Sequence, residues 1–371
     1  MPSRRSRFLP ALLALLALPA CALATPSAAA GRHYRVVAYD TAQQPIAADD
    51  VGRIDTLIFA FAQVVDGRVV LAPAARERLR QRIALKATHP GLKVMVSVGG
   101  WSAGGFSEAA ATAAGRQRFA DSAAALLADT HADGLDVDWE YPGHHESGIA
   151  SSPEDRTHFT ALLGMLRATL DRTGHGKHYL LSIAAADGLF VDGIDIAAVA
   201  PSLDWFNLMT YDFCNAMTPT TCNHTGLHAS KLAPADARTL ARAVRQFLAA
   251  GVPPRKLVPG VAFYGREFAE VVPAHDGLFQ RYGHYQGGHD WPQLKADFID
   301  RNGYVRYWDA QADAPYLWNA ATRRFISYDD PQSIAAKAAF VKAEHLGGLM
   351  YWEQGSDPDG ELLGAIWRDL Q

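Results

Sequence analysis

From residue 34 onward, short apolar runs alternate with longer stretches in which apolar residues recur every three or four positions. The short runs read as buried strands: Tyr34–Tyr39, Leu57–Val64, Lys93–Gly100, Gly134–Pro142, Tyr179–Ala186, Trp205–Phe213, Leu257–Gly265 and Gly347–Gln354. Helical spacing appears between most of them, at Gly115–Thr130, Pro153–Leu170, Pro234–Ala250 and Pro331–His345. Pro234 and Pro331 are placed near helix starts, where a missing N–H is harmless. Eight strands alternating with helices predict a parallel α/β sheet, and eight such units close into a (β/α)8 TIM barrel. An open doubly wound sheet would want a glycine-rich phosphate loop after its first strand, and Tyr39-Asp40-Thr41-Ala42 has no such glycines.

The connection from Gly265 to Gly347 is too long for a simple crossover, which needs roughly thirty residues. Residues 267–326 are rich in Tyr, Trp, Gly and Asp and read as a small α+β insertion on the barrel rim, between strands seven and eight. The barrel is then built from 32–266 and 327–371.

The first residues follow a different pattern. Arg4, Arg5 and Arg7 precede an apolar run, Phe8–Leu18, too short to span a bilayer. Ala22-Leu23-Ala24 follows as a cleavage site, so residues 1–24 are expected to be a signal peptide and 25–31 a small-residue linker. A secreted or periplasmic protein is expected. Cys21 follows Leu18-Pro19-Ala20, similar to a lipoprotein processing site, so cleavage after Ala24 and lipid anchoring at Cys21 both stand open. In an exported chain Cys214 and Cys222 are expected to pair and close a short loop, two free thiols being the alternative. The net charge of −4 offers no basic footprint for nucleic acid and favours a neutral or cationic substrate. No later segment reads as a membrane span, and a monomer is expected.

Asp133-Gly-Leu-Asp136-Val-Asp138-Trp-Glu140 carries the chemistry. Strand side chains alternate faces, so Asp136, Asp138 and Glu140 share one face and Leu135, Val137 and Trp139 the other. The apolar face meets the helices, and the three acids point into the barrel. Like charges crowded there resist joint ionisation, so a proton is held near neutral pH. Glu140, last in the strand, reaches the C-terminal mouth where barrel active sites form. A metal site would want further oxygen ligands or close His and Cys; His144 and His145 lie beyond Pro142 in a loop. Neither metal nor cofactor is therefore expected.

These residues carry a resemblance. DGLDVDWEYP resembles the D-x-x-D-x-D-x-E signature of glycoside hydrolase family 18. SVGGW (97–101), LMTYDF (208–213), FYGR (263–266) and GGLMYWEQGSD (347–357) resemble that family's segments on strands three, six, seven and eight, in the same order. The insertion resembles that of the bacterial chitinase branch, with PYLWN (315–319) and FISYDDPQSI (325–334) at its flanks.

The resemblance implies cleavage of β-1,4 links in chitin and N-acetylglucosamine oligosaccharides, with retention and without a protein nucleophile. Glu140 is implied as general acid and base, Asp138 as the group that orients the substrate acetamide, Asp136 as its support and Tyr211 as donor to the acetamido oxygen. Tyr39 and Ser97 match positions that hydrogen-bond the inner aspartates. Trp101, Tyr141, Met209, Asp212, Tyr264 and Arg266 match substrate-lining positions, and Trp352 the indole floor under the sugar. Gly99 and Gly100 are expected to allow close backbone approach. The sequence departs from the family pattern after Asp212, where FCNAMTPTTCNHTGLH lacks the usual tryptophan and histidine-glycine pair. Two rivals share the barrel: a non-catalytic chitin-binding lectin, which lacks the acid present here at Glu140, and an endo-β-N-acetylglucosaminidase with a more open groove.

Overall fold

The computed structural model describes residues 1–2 and 33–371. The expected cleavage site and Cys21 lie outside the described residues. Residues 34–371 form one compact unit.

Eight parallel strands close on themselves. They are β1 (Arg35–Asp40), β2 (Thr56–Val65), β4 (Lys93–Gly99), β5 (Gly134–Asp138), β6 (Leu180–Ala185), β7 (Trp205–Leu208), β8 (Leu257–Ala262) and β14 (Gly348–Trp352). Closure is explicit, because β1 pairs with both β2 and β14. A short strand, β3 (Arg68–Val70), folds back antiparallel on β2.

The alternation of side chains sorts the core into two compartments. Val36 and Ala38 of β1 pack with the helix-facing core, while Val37 and Tyr39 pack inside the barrel. Met95 of β4 and Val258 of β8 also point inward, and their neighbours Val94, Val96 and Leu257 outward. Each fully buried Val or Leu contributes about 1.5–3 kcal/mol, so a one-residue slip in any strand would exchange both layers at prohibitive cost.

The surrounding helices include Pro73–Ala84, Ala113–Thr130, Asp155–Thr173, Leu240–Ala249, Pro331–Ala343 and Glu361–Leu370. Thr112 caps the second of these by accepting the Gly115 N–H at 3.0 Å. Asp330 as N-cap and Ser333 at the third helical position form a capping box around Pro331, which occupies the first turn as expected. Pro234 does not start a helix. It is followed by a turn, Ala237 N–H to Pro234 carbonyl at 3.0 Å, and the helix begins at Leu240 once Thr239 supplies a cap.

A second, antiparallel sheet stands between β8 and β14. Its strands are β9 (Tyr264–Ala269), β10 (His284–Asp290), β11 (Val305–Asp309), β12 (Ala314–Asn319) and β13 (Arg324–Ser327), in the order β10-β9-β13-β12-β11. Tyr264 and Arg266, read from sequence with the seventh barrel strand, belong to its first strand, because only Phe263 separates β8 from β9. Among the described residues no helix is long and apolar enough to cross a membrane.

Candidate active site

Asp136 and Asp138 of β5 and Glu140, two residues past the strand end and so not its last residue as expected, are buried, Asp136 fully and the other two nearly so. Trp139, of opposite parity, stacks on Phe106 at 5.3 Å and meets Phe159 edge-on at 5.3 Å, on the helix side. The strand approaches β4 closely because Gly99 lacks a side chain. A Cβ there would come within 2.0 Å of the Asp138 carbonyl oxygen, and the backbone has φ +122°.

Asp136 is the floor of the site. One carboxylate oxygen accepts from Tyr39 Oη at 2.9 Å and Ser97 Oγ at 2.8 Å; the other accepts from Ser182 Oγ at 2.6 Å and Asn207 Nδ2 at 3.2 Å. Strand register explains this convergence, since Asp136 lies beside Ser97 of β4 and Ser182 of β6. Asn207 is in turn oriented by Trp205 Nε1, which donates to its Oδ1 at 2.8 Å. Burial pushes the Asp136 carboxyl above its ordinary range, and the four hydrogen bonds oppose that rise.

Among the described residues Asp138 has no such donors, and its Oδ1 is buried without a hydrogen-bond partner. Burial pushes its carboxyl well up, with the charges of Glu140 and Asp136 adding to the effect. Glu140 is raised by burial to about 7, against a hydrogen bond with Tyr141 that lowers it. Two neighbouring acids, both raised by burial and one of them to about 7, keep a transferable proton near neutrality.

A cavity of about 560 Å³ opens above them. Its lining includes the expected Tyr39, Trp101, Asp138, Glu140, Tyr141, Met209, Tyr211, Asp212, Tyr264, Arg266 and Trp352. Asp136 and Ser97 lie beneath it. Trp352 stacks with Phe61 at 5.7 Å and tilts against Tyr39 at 5.9 Å. Among the described residues Tyr211 Oη reaches the Met350 thioether alone, at 3.8 Å, and burial raises its pKa well above 10.0.

Asp212 is held rigidly, with Arg266 Nε and Nη2 donating to its two oxygens at 2.7 and 2.6 Å. Although burial favours the neutral form, hydrogen bonds from His224 and Arg266 hold this carboxyl below its usual range. Cys214 and Cys222 are joined as a disulfide beside this wall.

Sequence reasoning missed several lining residues: Phe61, Phe190, Met217, Arg238 and Tyr285 among them. It also missed Ser182 and Asn207. These two were detectable, because each is a polar residue of inward parity in an otherwise apolar strand.

A closed barrel with a carboxyl raised by burial to about 7 beside two further buried acids at its C-terminal mouth defines a glycoside hydrolase type of site. The family model for glycosyl hydrolases family 18 matches residues 35–357, and the chain belongs to that family. It is similar to chitinase A1 of Niallia circulans, 41% identical over 310 residues, covering 79% of this chain and 44% of that protein. Chitinase B of Serratia marcescens is 31% identical over 358 residues, covering 79% of this chain and 70% of that one. A family 18 N-acetylglucosaminidase from Paenibacillus barengoltzii matches in structure with a TM-score of 0.87 at 40% identity, covering 91% of this chain and 100% of that one. The chain thus spans less than half the length of the first of these relatives.

Proposed function

We propose that the protein is an exported chitinase hydrolysing β-1,4 bonds between N-acetylglucosamine units by a retaining, substrate-assisted mechanism. Glu140 gives its proton to the glycosidic oxygen as the bond from that oxygen to the anomeric carbon breaks. The acetamido oxygen of the same sugar bonds to that carbon, forming an oxazolinium ion. Asp138 accepts the acetamido N–H, and Tyr211 donates to the acetamido oxygen. Glu140, now a carboxylate, takes a proton from water as the water oxygen attacks the anomeric carbon and reopens the ring. An intramolecular nucleophile removes several kcal/mol from the barrier once oriented.

The observation that carries this reading is the pairing of a Glu140 carboxyl near 7 with an unpartnered Asp138 oxygen in one cavity. Names of similar proteins, chitinase A1 and chitinase B, support the substrate. Product analysis on chitin hexamer tests it. Glu140→Gln should bind the oligomer and lose about 100-fold or more in kcat, the range of general acid catalysis. Equal turnover by both proteins would refute the assignment.

A second reading, release of single N-acetylglucosamine units, is favoured by the full-length likeness to the Paenibacillus N-acetylglucosaminidase. The same digestion separates the two, since monosaccharide would then appear from the first turnover.

A further inference from the structure

Two segments that the proposed chemistry does not use build one side of the cleft. The turn after β6 brings in Phe190, whose ring stacks on Tyr141 at 4.6 Å. The loop after β7, closed by Cys214–Cys222, brings Asn215, Ala216 and Met217 into the cavity lining.

Arg238 fastens the two segments together. Its Nε donates to Asp187 Oδ1 at 2.9 Å, three residues before Phe190, and its Nη1 donates to the Asp212 carbonyl at 3.2 Å, two residues before Cys214. Its guanidinium lies 5.1 Å from the Phe213 ring centre. From the other side the connection between β9 and β10 holds the same loop. Tyr282 Oη donates to the Asn215 and Thr218 carbonyls at 3.1 and 2.6 Å, and the Thr221 N–H donates to the Gln280 carbonyl at 2.9 Å. A loop tied by a covalent bond, an arginine clasp and the β9–β10 connection is a fixed wall. Met217 and Trp101 line the cavity yet are each 51% exposed, which puts them at its mouth.

We propose that this disulfide-closed wall, with Met217 at its tip, ends the leaving-group side of the cleft and selects short, soluble N-acetylglucosamine oligosaccharides over polymer. The inference rests on the reading of Glu140 as proton donor. The sugar that keeps the acetamide then lies over Trp352 and Phe61, on one side of Glu140. The departing sugar lies on the other side, against Tyr141, Phe190 and Trp101, and runs into Met217. The whole cavity, on both sides of Glu140, measures about 560 Å³.

The test compares kcat/KM on chitin trimer and hexamer for wild type, Met217→Gly and the double variant Cys214→Ser/Cys222→Ser. Wild type should prefer the trimer. Both variants should raise the hexamer-to-trimer ratio roughly tenfold, the order expected when an apolar wall is opened by a side chain. Met217→Gly keeps the disulfide and the Arg238 clasp, so its ratio is informative even where the double variant unfolds. Turnover with an unchanged ratio in Met217→Gly would overturn the inference alone. Absence of turnover by wild type on either oligomer would overturn the reading of Glu140 and the inference with it.

Discussion

A buried carboxyl without a cation must either collect hydrogen bonds or keep a proton, and neighbouring acids on β5 and just past its end take opposite routes. Asp136 has four donors, whereas Asp138 and Glu140 are pushed toward the protonated form by burial. The folded-state pKa of Glu140 lies above its ordinary 4.5, at about 7. Its contribution to stability is therefore present in full below 4.5 and is lost as pH rises through 7. Glu140→Gln, which cannot ionise, should raise the thermal midpoint relative to wild type at pH 8 and leave it nearly unchanged at pH 4; equal shifts at both would contradict the assignment. Beneath it, Asn207→Leu removes a donor from Asp136 and leaves Trp205 Nε1 unpaired, which should cost about 1–3 kcal/mol in denaturant unfolding. The acids themselves were legible in the sequence because period-two alternation is local. Phe190 and Arg238 were not, because their approach to the cleft depends on turns far from β5 along the chain.

At the scale of elements, parity along strands survived translation into structure and punctuation did not always. The inward face of β5 follows from counting, but Pro234 marks a turn, since a proline at a helix start and a proline in a loop look alike without the cap. The helix Pro331–Ala343 shows how an element is tied to the site. Lys337 is fully buried, and its Nζ donates to both oxygens of Asp329, at 2.6 and 2.7 Å. Asp329 also accepts the Ala262 N–H at the end of β8 and the Thr225 hydroxyl in the loop behind Asp212. Lys337→Met would strand that charge in the interior. A loss of about 3–5 kcal/mol in unfolding free energy is expected, against well under 1 kcal/mol for the exposed Arg80→Met, and comparable losses would show that the pair is not an anchor.

Across the whole molecule, two sets of shifted carboxyls act in opposite directions. Glu140, raised by burial to about 7, withdraws stability as pH climbs from 4.5 through 7, and Asp138, also raised by burial, acts in the same direction. Glu267 resists its own burial through hydrogen bonds from His289, Tyr304 and Arg324, which hold it at about 2, and Asp212 is held low by His224 and Arg266. Their contribution is present above the ordinary carboxyl range and is lost as pH falls below about 4.5 toward those lowered values. Stability should therefore peak near pH 4.5, falling on the acid side as the lowered carboxyls protonate and declining between about pH 4.5 and 7 as Glu140 ionises, then levelling off. Activity should follow only the alkaline decline. Asp212 stays ionised across this range, so no acid limb arises from the cleft, while deprotonation of Glu140 removes the proton donor. Measured from pH 5 to 9 on a chromogenic chitobioside, kcat/KM should fall with a single apparent pKa near 7, tenfold per pH unit beyond it. A profile flat to pH 9 would mean that Glu140 does not supply the proton. A fall below pH 6, in protein that remains folded, would mean that Asp138 must be ionised before substrate binds.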